Sequence, residues 1–144
     1  MLVKVKKLTD TAVIPSLGSE FSACVDLYAD ESVYIAPEST EKVHTGLSFQ
    51  PPKGYYGAIY ARSGLATKQG LRPANCVGIC DEDYTGEYIV AVHNDSNEQR
   101  HIVKGDRIAQ LMFVPYERIE FVEVSELTKT ERGSGGFGST DKIK

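Results

Sequence analysis

The sequence predicts an all-β fold, a sandwich, barrel or jelly roll, and three observations carry that prediction. Short segments rich in β-branched and aromatic residues alternate polar with apolar positions, the period of a half-buried strand. Turn-forming clusters separate them: PPKG at Pro51 to Gly54, DYTGE around Gly86, NDSNEQ from Asn94 and KGD at Lys104 to Asp106. No long stretch of helical period lies between them.

In order along the chain, VKVKKL opens as a strand, and SACVDLYA from Ser22 follows as an apolar strand interrupted by Asp26. SVYIA from Ser32, KVHTGLSF from Lys42 and YYGAIYAR from Tyr55 continue the pattern. SGLATK from Ser63 is the one place for helix, one or two turns with the Ser63 hydroxyl as cap. CVGIC from Cys76, EYIVAVHN from Glu87, RIAQLMFVP from Arg107 and RIEFVEV from Arg118 complete the strands. From Thr128 the chain turns polar and glycine-rich, which divides it into an ordered β core over 1–126 and an arm over 127–144. In RIAQLMFVP the alternation puts Arg107, Ala109 and Leu111 on one face, and Ile108 and Gln110 on the other.

At 144 residues, 41% hydrophobic and 25% charged, the chain suits one globular domain. A net charge of -4 argues against broad binding to nucleic acid or an anionic membrane, both of which need clustered Lys and Arg. The start, MLVKVKKLTD, has no apolar run suited to a signal peptide, and no stretch approaches a membrane span, so a cytoplasmic protein is expected. Cys24, Cys76 and Cys80 form no C-x-x-C pair and are expected as buried, reduced thiols, with Cys76 and Cys80 on one strand face.

Four groups of residues have the makings of a site. GICDEDYTGE from Gly78 has four acids within seven residues, closing an apolar strand. Asp81, held beside a polyphosphate with a water between, is placed to act as general base. Glu82 and Asp83 either hold metal-bound waters or face solvent. In YARSGLATK from Tyr60, Arg62, the Ser63 hydroxyl and free helix-start amides form an anion cradle. GDRIAQL from Gly105 brings in Gln110, either a satisfied core amide or a ligand contact. Asp26, in its apolar strand, needs a partner, and Arg62 is the candidate.

The arm sequence RGSGGFGST, from Arg132, matches G-x-G-x-x-G at Gly133, Gly135 and Gly138. That fingerprint requires a strand before it and a helix after it, and only Asp141 to Lys144 follow. That reading is rejected, and so is a phosphate loop at Gly133 and Gly138 to Thr140, which lacks its lysine; what is left is a flexible stretch with one cation (Arg132), one ring (Phe137) and many exposed amides.

Taken together and in order, SACVDLYA, ARSGLA, GICDEDYTGE, GDRIAQLMF and RGSGGFGST resemble the five motifs of the trimeric dUTPase family, from Ser22 to Thr140. The resemblance implies a jelly-roll β subunit, a homotrimer with active sites shared between chains, and Mg²⁺-dependent hydrolysis of dUTP to dUMP and pyrophosphate. Such an activity keeps dUTP low and supplies dUMP for dTMP synthesis. It implies Asp81 as the base that activates water, and Tyr84 as the ring against the deoxyribose. Asn75, with the backbone near Gly78, would meet uracil. Arg62, Ser63, Gly64 and Gln110 would contact phosphates, and Asp26 would act on the metal indirectly, through water. On the arm, Arg132 would meet the γ-phosphate, Phe137 would stack on uracil, and Gly138, Ser139 and Thr140 would supply amides and hydroxyls.

The sequence departs from the family pattern at Cys24, Ala61, Cys80 and Thr85, none of which removes a group the chemistry needs. Two other readings stay open at this stage: a relative of the dCTP deaminases, and a module that binds dUTP without hydrolysing it.

Overall fold

The computed structural model describes residues 1–137. Eleven strands and one helix are present among them: β1 (Lys4–Lys7), β2 (Val25–Tyr28), β3 (Val33–Ile35), β4 (Thr40–Val43), β5 (Leu47–Gln50), β6 (Tyr55–Tyr60), α1 (Ser63–Gln69), β7 (Leu71–Pro73), β8 (Val77–Cys80), β9 (Val90–Asn94), β10 (Arg100–Ile102) and β11 (Arg107–Pro115). All pairings are antiparallel. The largest sheet runs β2-β11-β6-β8, a second runs β4-β9-β7, and two ribbons pair β1 with β5 and β3 with β10. The all-β expectation holds.

Alternation places the core. In β9, Val90, Val92 and Asn94 point inward while Ala91 and His93 are half-buried, the two-residue period of a pleated strand. Leu27, Ile59 and Leu111 of the larger sheet share one apolar cluster with Val43, Leu71 and Val92 of the second. Burying each such side chain contributes roughly 1.5–3 kcal/mol. Asn94 is a buried polar member with every group satisfied: its amide donates to the carbonyls of Ile35, Ala36 and Glu98, and its Oδ1 accepts from Ser96.

Five expectations are corrected. KVHTGLSF is two strands, because Gly46 turns at φ +66 in a gap where a Cβ would lie 2.8 Å from Asp30 Oδ2 and from Ala12 Cβ. A bulge between Arg107 and Ala109 shifts the register of β11 against β2, so Ile108, Ala109 and Leu111 are all buried while Arg107 is exposed. Helix α1 has Arg62 as N-cap with no side-chain bond, and Ser63 is already helical. Its first amides are therefore left without a side-chain acceptor from the cap. Cys76 is exposed at φ +55, outside β8, and does not share a strand face with Cys80. RIEFVEV pairs with no strand among the described residues, and its Ile119, Phe121, Val122 and Val124 stand in solvent. Among the described residues no helix is long and apolar enough to cross a membrane.

Candidate active site

β8 is an edge strand paired with β6, Tyr60 opposite Val77 and Gly57 opposite Cys80. The turn before it folds Asn75 back over the strand. A Cβ on Gly78 would lie 3.3 Å from Asn75 Nδ2 and 3.1 Å from Ile59 Cβ, so the amide lies close over the glycine, and a larger residue there would press on it. After Cys80 the chain turns through Asp81 to Gly86, with the Tyr84 N–H donating to the Asp81 carbonyl at 3.1 Å. The Tyr84 hydroxyl donates to the Glu87 carbonyl at 3.0 Å. Its ring lies against Tyr88, centroids 6.1 Å apart.

These segments enclose a cleft of about 250 Å³, lined among others by Asn75, Gly78, Asp81, Tyr84, Tyr88 and Ile89. Four residues singled out from the sequence thus meet in one concavity. Asp81 is exposed, so its carboxylate is open to solvent and to a ligand. Cys80 also lines the cleft. Burial, and then the Asp81 charge, push its thiol up to about 11, which keeps it neutral and removes it as a nucleophile at ordinary pH. Burial likewise raises the Tyr88 phenol, with Cys80 adding to the effect.

The cation-bearing residues gather elsewhere. Asp26, Gln110, Tyr60 and Val77 lie in one row across the four-stranded sheet. Asp26 Oδ1 accepts from Arg62 Nε at 2.8 Å, and Oδ2 accepts from Arg107 Nη1 at 3.3 Å. The partner expected for Asp26 is present, and a second one, Arg107, had no role in the sequence reading. One carboxylate between two guanidiniums leaves a net positive charge beside exposed Ser63 and Gly64 at the start of α1. That is an anion-binding arrangement.

The two groups lie toward opposite ends of the β6/β8 ladder. Arg62 follows Tyr60 at one end, and Asp81 follows Cys80 at the other. At about 3.4 Å per residue, roughly 10 Å of paired strand separates the ends. None of Arg62, Ser63, Gly64 and Gln110 lines the cleft that holds Asp81 in the single chain.

On the arm, the described hydrogen bonds of 130–135 are local: Arg132 Nε donates to the Gly135 carbonyl at 2.9 Å, and the Gly133 N–H to Thr130. Phe137 is fully exposed. The expectations for Gly138, Ser139 and Thr140 lie outside the described residues. Among those described, no group of three His, Cys, Asp or Glu side chains is arranged to hold a metal.

The contacts of two further acids were missed from the sequence because their partners are remote along the chain. Glu87 Oε1 accepts the Gly46 N–H at 2.7 Å while Oε2 meets His44 Nδ1 at 2.8 Å. The hydrogen bond to Glu87 raises the His44 pKa against the opposing effect of burial. Glu82 accepts from the Gly54 N–H and the Tyr116 hydroxyl.

The sequence model of the dUTPase family matches residues 10–141. The chain belongs to the dUTPase family. It is 45% identical to the deoxyuridine 5'-triphosphate nucleotidohydrolase of Nautilia profundicola, with 99% of this chain and 100% of that one covered. The protein of the same name from Rickettsia prowazekii is 43% identical, over 96% of this chain and 95% of its own. A mutant dUTPase of Staphylococcus bacteriophage 80alpha, with dUpNHpp, superimposes at a TM-score of 0.88 and 28% identity, covering 96% of this chain and 98% of that chain. The jelly-roll expectation accords with this shared dUTPase fold. The cleft of this dUTPase-family chain is built on the third of its five motifs, and the cation cluster on the first, second and fourth.

Proposed function

We propose that this chain hydrolyses dUTP to dUMP and pyrophosphate. The observation that carries this reading is the meeting of Asn75, Gly78, Asp81 and Tyr84 in one cleft of a dUTPase-family chain. Asn75 and the backbone at Gly78 bind the uracil edge. Tyr84, held by its hydrogen bond to Glu87, is a wall against the sugar that leaves no room for a 2′-hydroxyl. Asp81 takes a proton from water as the water oxygen bonds to the α-phosphorus. The bond to the bridging oxygen then breaks and pyrophosphate leaves. General-base assistance of this kind is worth about 10²- to 10⁴-fold.

The phosphates need the cations of Arg62, the Ser63 and Gly64 end of α1, and Gln110. None of these lines the Asp81 cleft in the single chain, so in this reading a second copy supplies them and the site is shared in a homotrimer. The strand-like but unpaired RIEFVEV segment supports assembly, since its exposed apolar side chains are costly to leave in water. An apolar groove of about 430 Å³, lined by Val3, Val5, Leu17 and Phe113 among others, is a second unsatisfied surface. The arm, residues 127–144, closes over the nucleotide with Arg132 on the γ-phosphate and Phe137 on uracil, and Gly138, Ser139 and Thr140 add amides and hydroxyls.

Mg²⁺ fits this donor set only in a limited way. Both Asp26 oxygens are engaged by arginines, which leaves spare lone pairs for water contact. Asp26 would meet the ion through water, and the triphosphate's own oxygens would hold it. When bound, Mg²⁺ supplies charge neutralisation on the phosphates.

The test is incubation of purified protein with dUTP, UTP, dTTP and dCTP, with Mg²⁺ and with chelator, following pyrophosphate, monophosphate and ammonia. Pyrophosphate from dUTP alone, lost with chelator, is the expected result. Ammonia from dCTP, or tight dUTP binding with no turnover, would replace this reading.

A further inference from the structure

Asp81 carries the reaction in the reading above, yet among the described residues its carboxylate accepts no hydrogen bond. Its aim therefore depends on the backbone that bears it. The adjacent acid is held firmly. Glu82 Oε2 accepts the Gly54 N–H at 2.7 Å and the Tyr116 hydroxyl at 2.8 Å. Gly54 belongs to the turn before β6, and its carbonyl accepts the Tyr116 N–H at 3.0 Å. Tyr116 is the first residue past β11, and its ring stands edge-on to Tyr56, centroids 6.3 Å apart.

One carboxylate oxygen thus ties together three stretches of chain that are distant in sequence. The Gly54 amide first, and then the Tyr116 hydroxyl, hold the Glu82 carboxyl below its ordinary range, while Glu82 raises the Tyr116 phenol. Neither of the sequence-level alternatives for Glu82, a holder of metal-bound water or a free surface acid, describes this environment.

We propose that Glu82 and Tyr116 are positioning residues for the Asp81 base, an inference that rests on the dUTP-hydrolysis reading. Asp81 and Glu82 are successive residues that open the turn after β8, joined by a single peptide. Pinning Glu82 to Gly54 and Tyr116 therefore fixes the peptide between it and Asp81, and with it the position from which Asp81 reaches the cleft. Misplacing a reacting group by about 1 Å can cost up to about 10²-fold in rate. The anchor makes no nucleotide contact in the reading above, so its loss is expected to act on turnover and spare binding.

The experiment compares wild type, Tyr116→Phe, Glu82→Gln, Glu82→Ala and the Glu82→Ala/Tyr116→Phe double variant. It measures kcat and KM for dUTP, affinity for dUpNHpp, and thermal melting. Tyr116→Phe is expected to lower kcat by about 5- to 30-fold, with KM, dUpNHpp affinity and melting near wild type. Glu82→Gln keeps an acceptor oxygen and is expected to recover most of kcat. Glu82→Ala is expected to lose at least as much as Tyr116→Phe, and the double variant no more than Glu82→Ala alone, because the two residues act through one bond. An active wild type beside a fully active Tyr116→Phe would overturn the anchor alone. So would losses that multiply in the double variant, or that fall on KM. A wild type inert toward dUTP would overturn both readings.

Discussion

The Tyr84 hydroxyl reaches the Glu87 carbonyl only because Gly86, between them, has no side chain. A Cβ at position 86 would sit 2.5 Å from Tyr84 Oη and 2.6 Å from its Cζ. Gly86→Ala must therefore displace the ring that forms the sugar wall. We expect a fall of about tenfold or more in the preference for dUTP over UTP, measured as the ratio of kcat/KM values, and a stability loss of about 1–3 kcal/mol in denaturant melts. Unchanged discrimination would separate Tyr84 from sugar recognition.

Asp81→Asn keeps shape and removes the base. Because Asp81 is exposed, the substitution should leave folding untouched. The expected result is a kcat lower by about 10²- to 10⁴-fold with dUpNHpp affinity within a few-fold of wild type. Retained turnover would take Asp81 out of the mechanism.

Ending the chain after Glu131 removes Arg132 and Phe137, whose described contacts are local or absent. The truncated protein should melt within a few degrees of the full chain while turnover falls by about 10²-fold, as for loss of a lid that orients phosphates and excludes water. Full activity in the truncate would make the arm a mere tail.

Asp30 links stability to pH. Burial raises its carboxyl, but hydrogen bonds from Thr9, Thr11 and Lys104 outweigh that effect and hold it at about 2, against an ordinary 3.8. A folded-state pKa below the unfolded value gives stability that is present above the unfolded pKa and is lost as pH falls from about 4 toward 2. Discounted for solvent near Lys104, the contribution is about 1–2 kcal/mol. Asp30→Asn should lower the melting temperature at pH 7, with a deficit that shrinks steadily as pH falls from about 4 to about 2; an equal deficit across that range would assign the loss to packing.

Much of this was legible because it is local. Strand period, turn residues and the short helix at Ser63 are written in consecutive positions, and the Asp26–Arg62 pair follows from the need of a half-buried acid for a cation. What escaped depends on distant neighbours. Gly46 breaks a segment that reads as one strand, because Thr9, Ala12 and Asp30 crowd it. The bulge after Arg107 is set by the register against Tyr28 and Leu27. Glu82 reads as one acid in an acidic run until Gly54 and Tyr116 are beside it. RIEFVEV has the alternation of a strand, but pairing needs an edge, and no edge within the described chain takes it.

The distance between Arg62 and Asp81 along the β6/β8 ladder bears on inheritance as well as chemistry. Where each proposed site borrows its cations from one copy and its base from another, two defective alleles are not equivalent to one. Chains altered at Arg62 and chains altered at Asp81, inactive alone, would regain partial activity when mixed, since some sites would draw the intact half from each. Two variants altered on the same side of the ladder would not rescue one another.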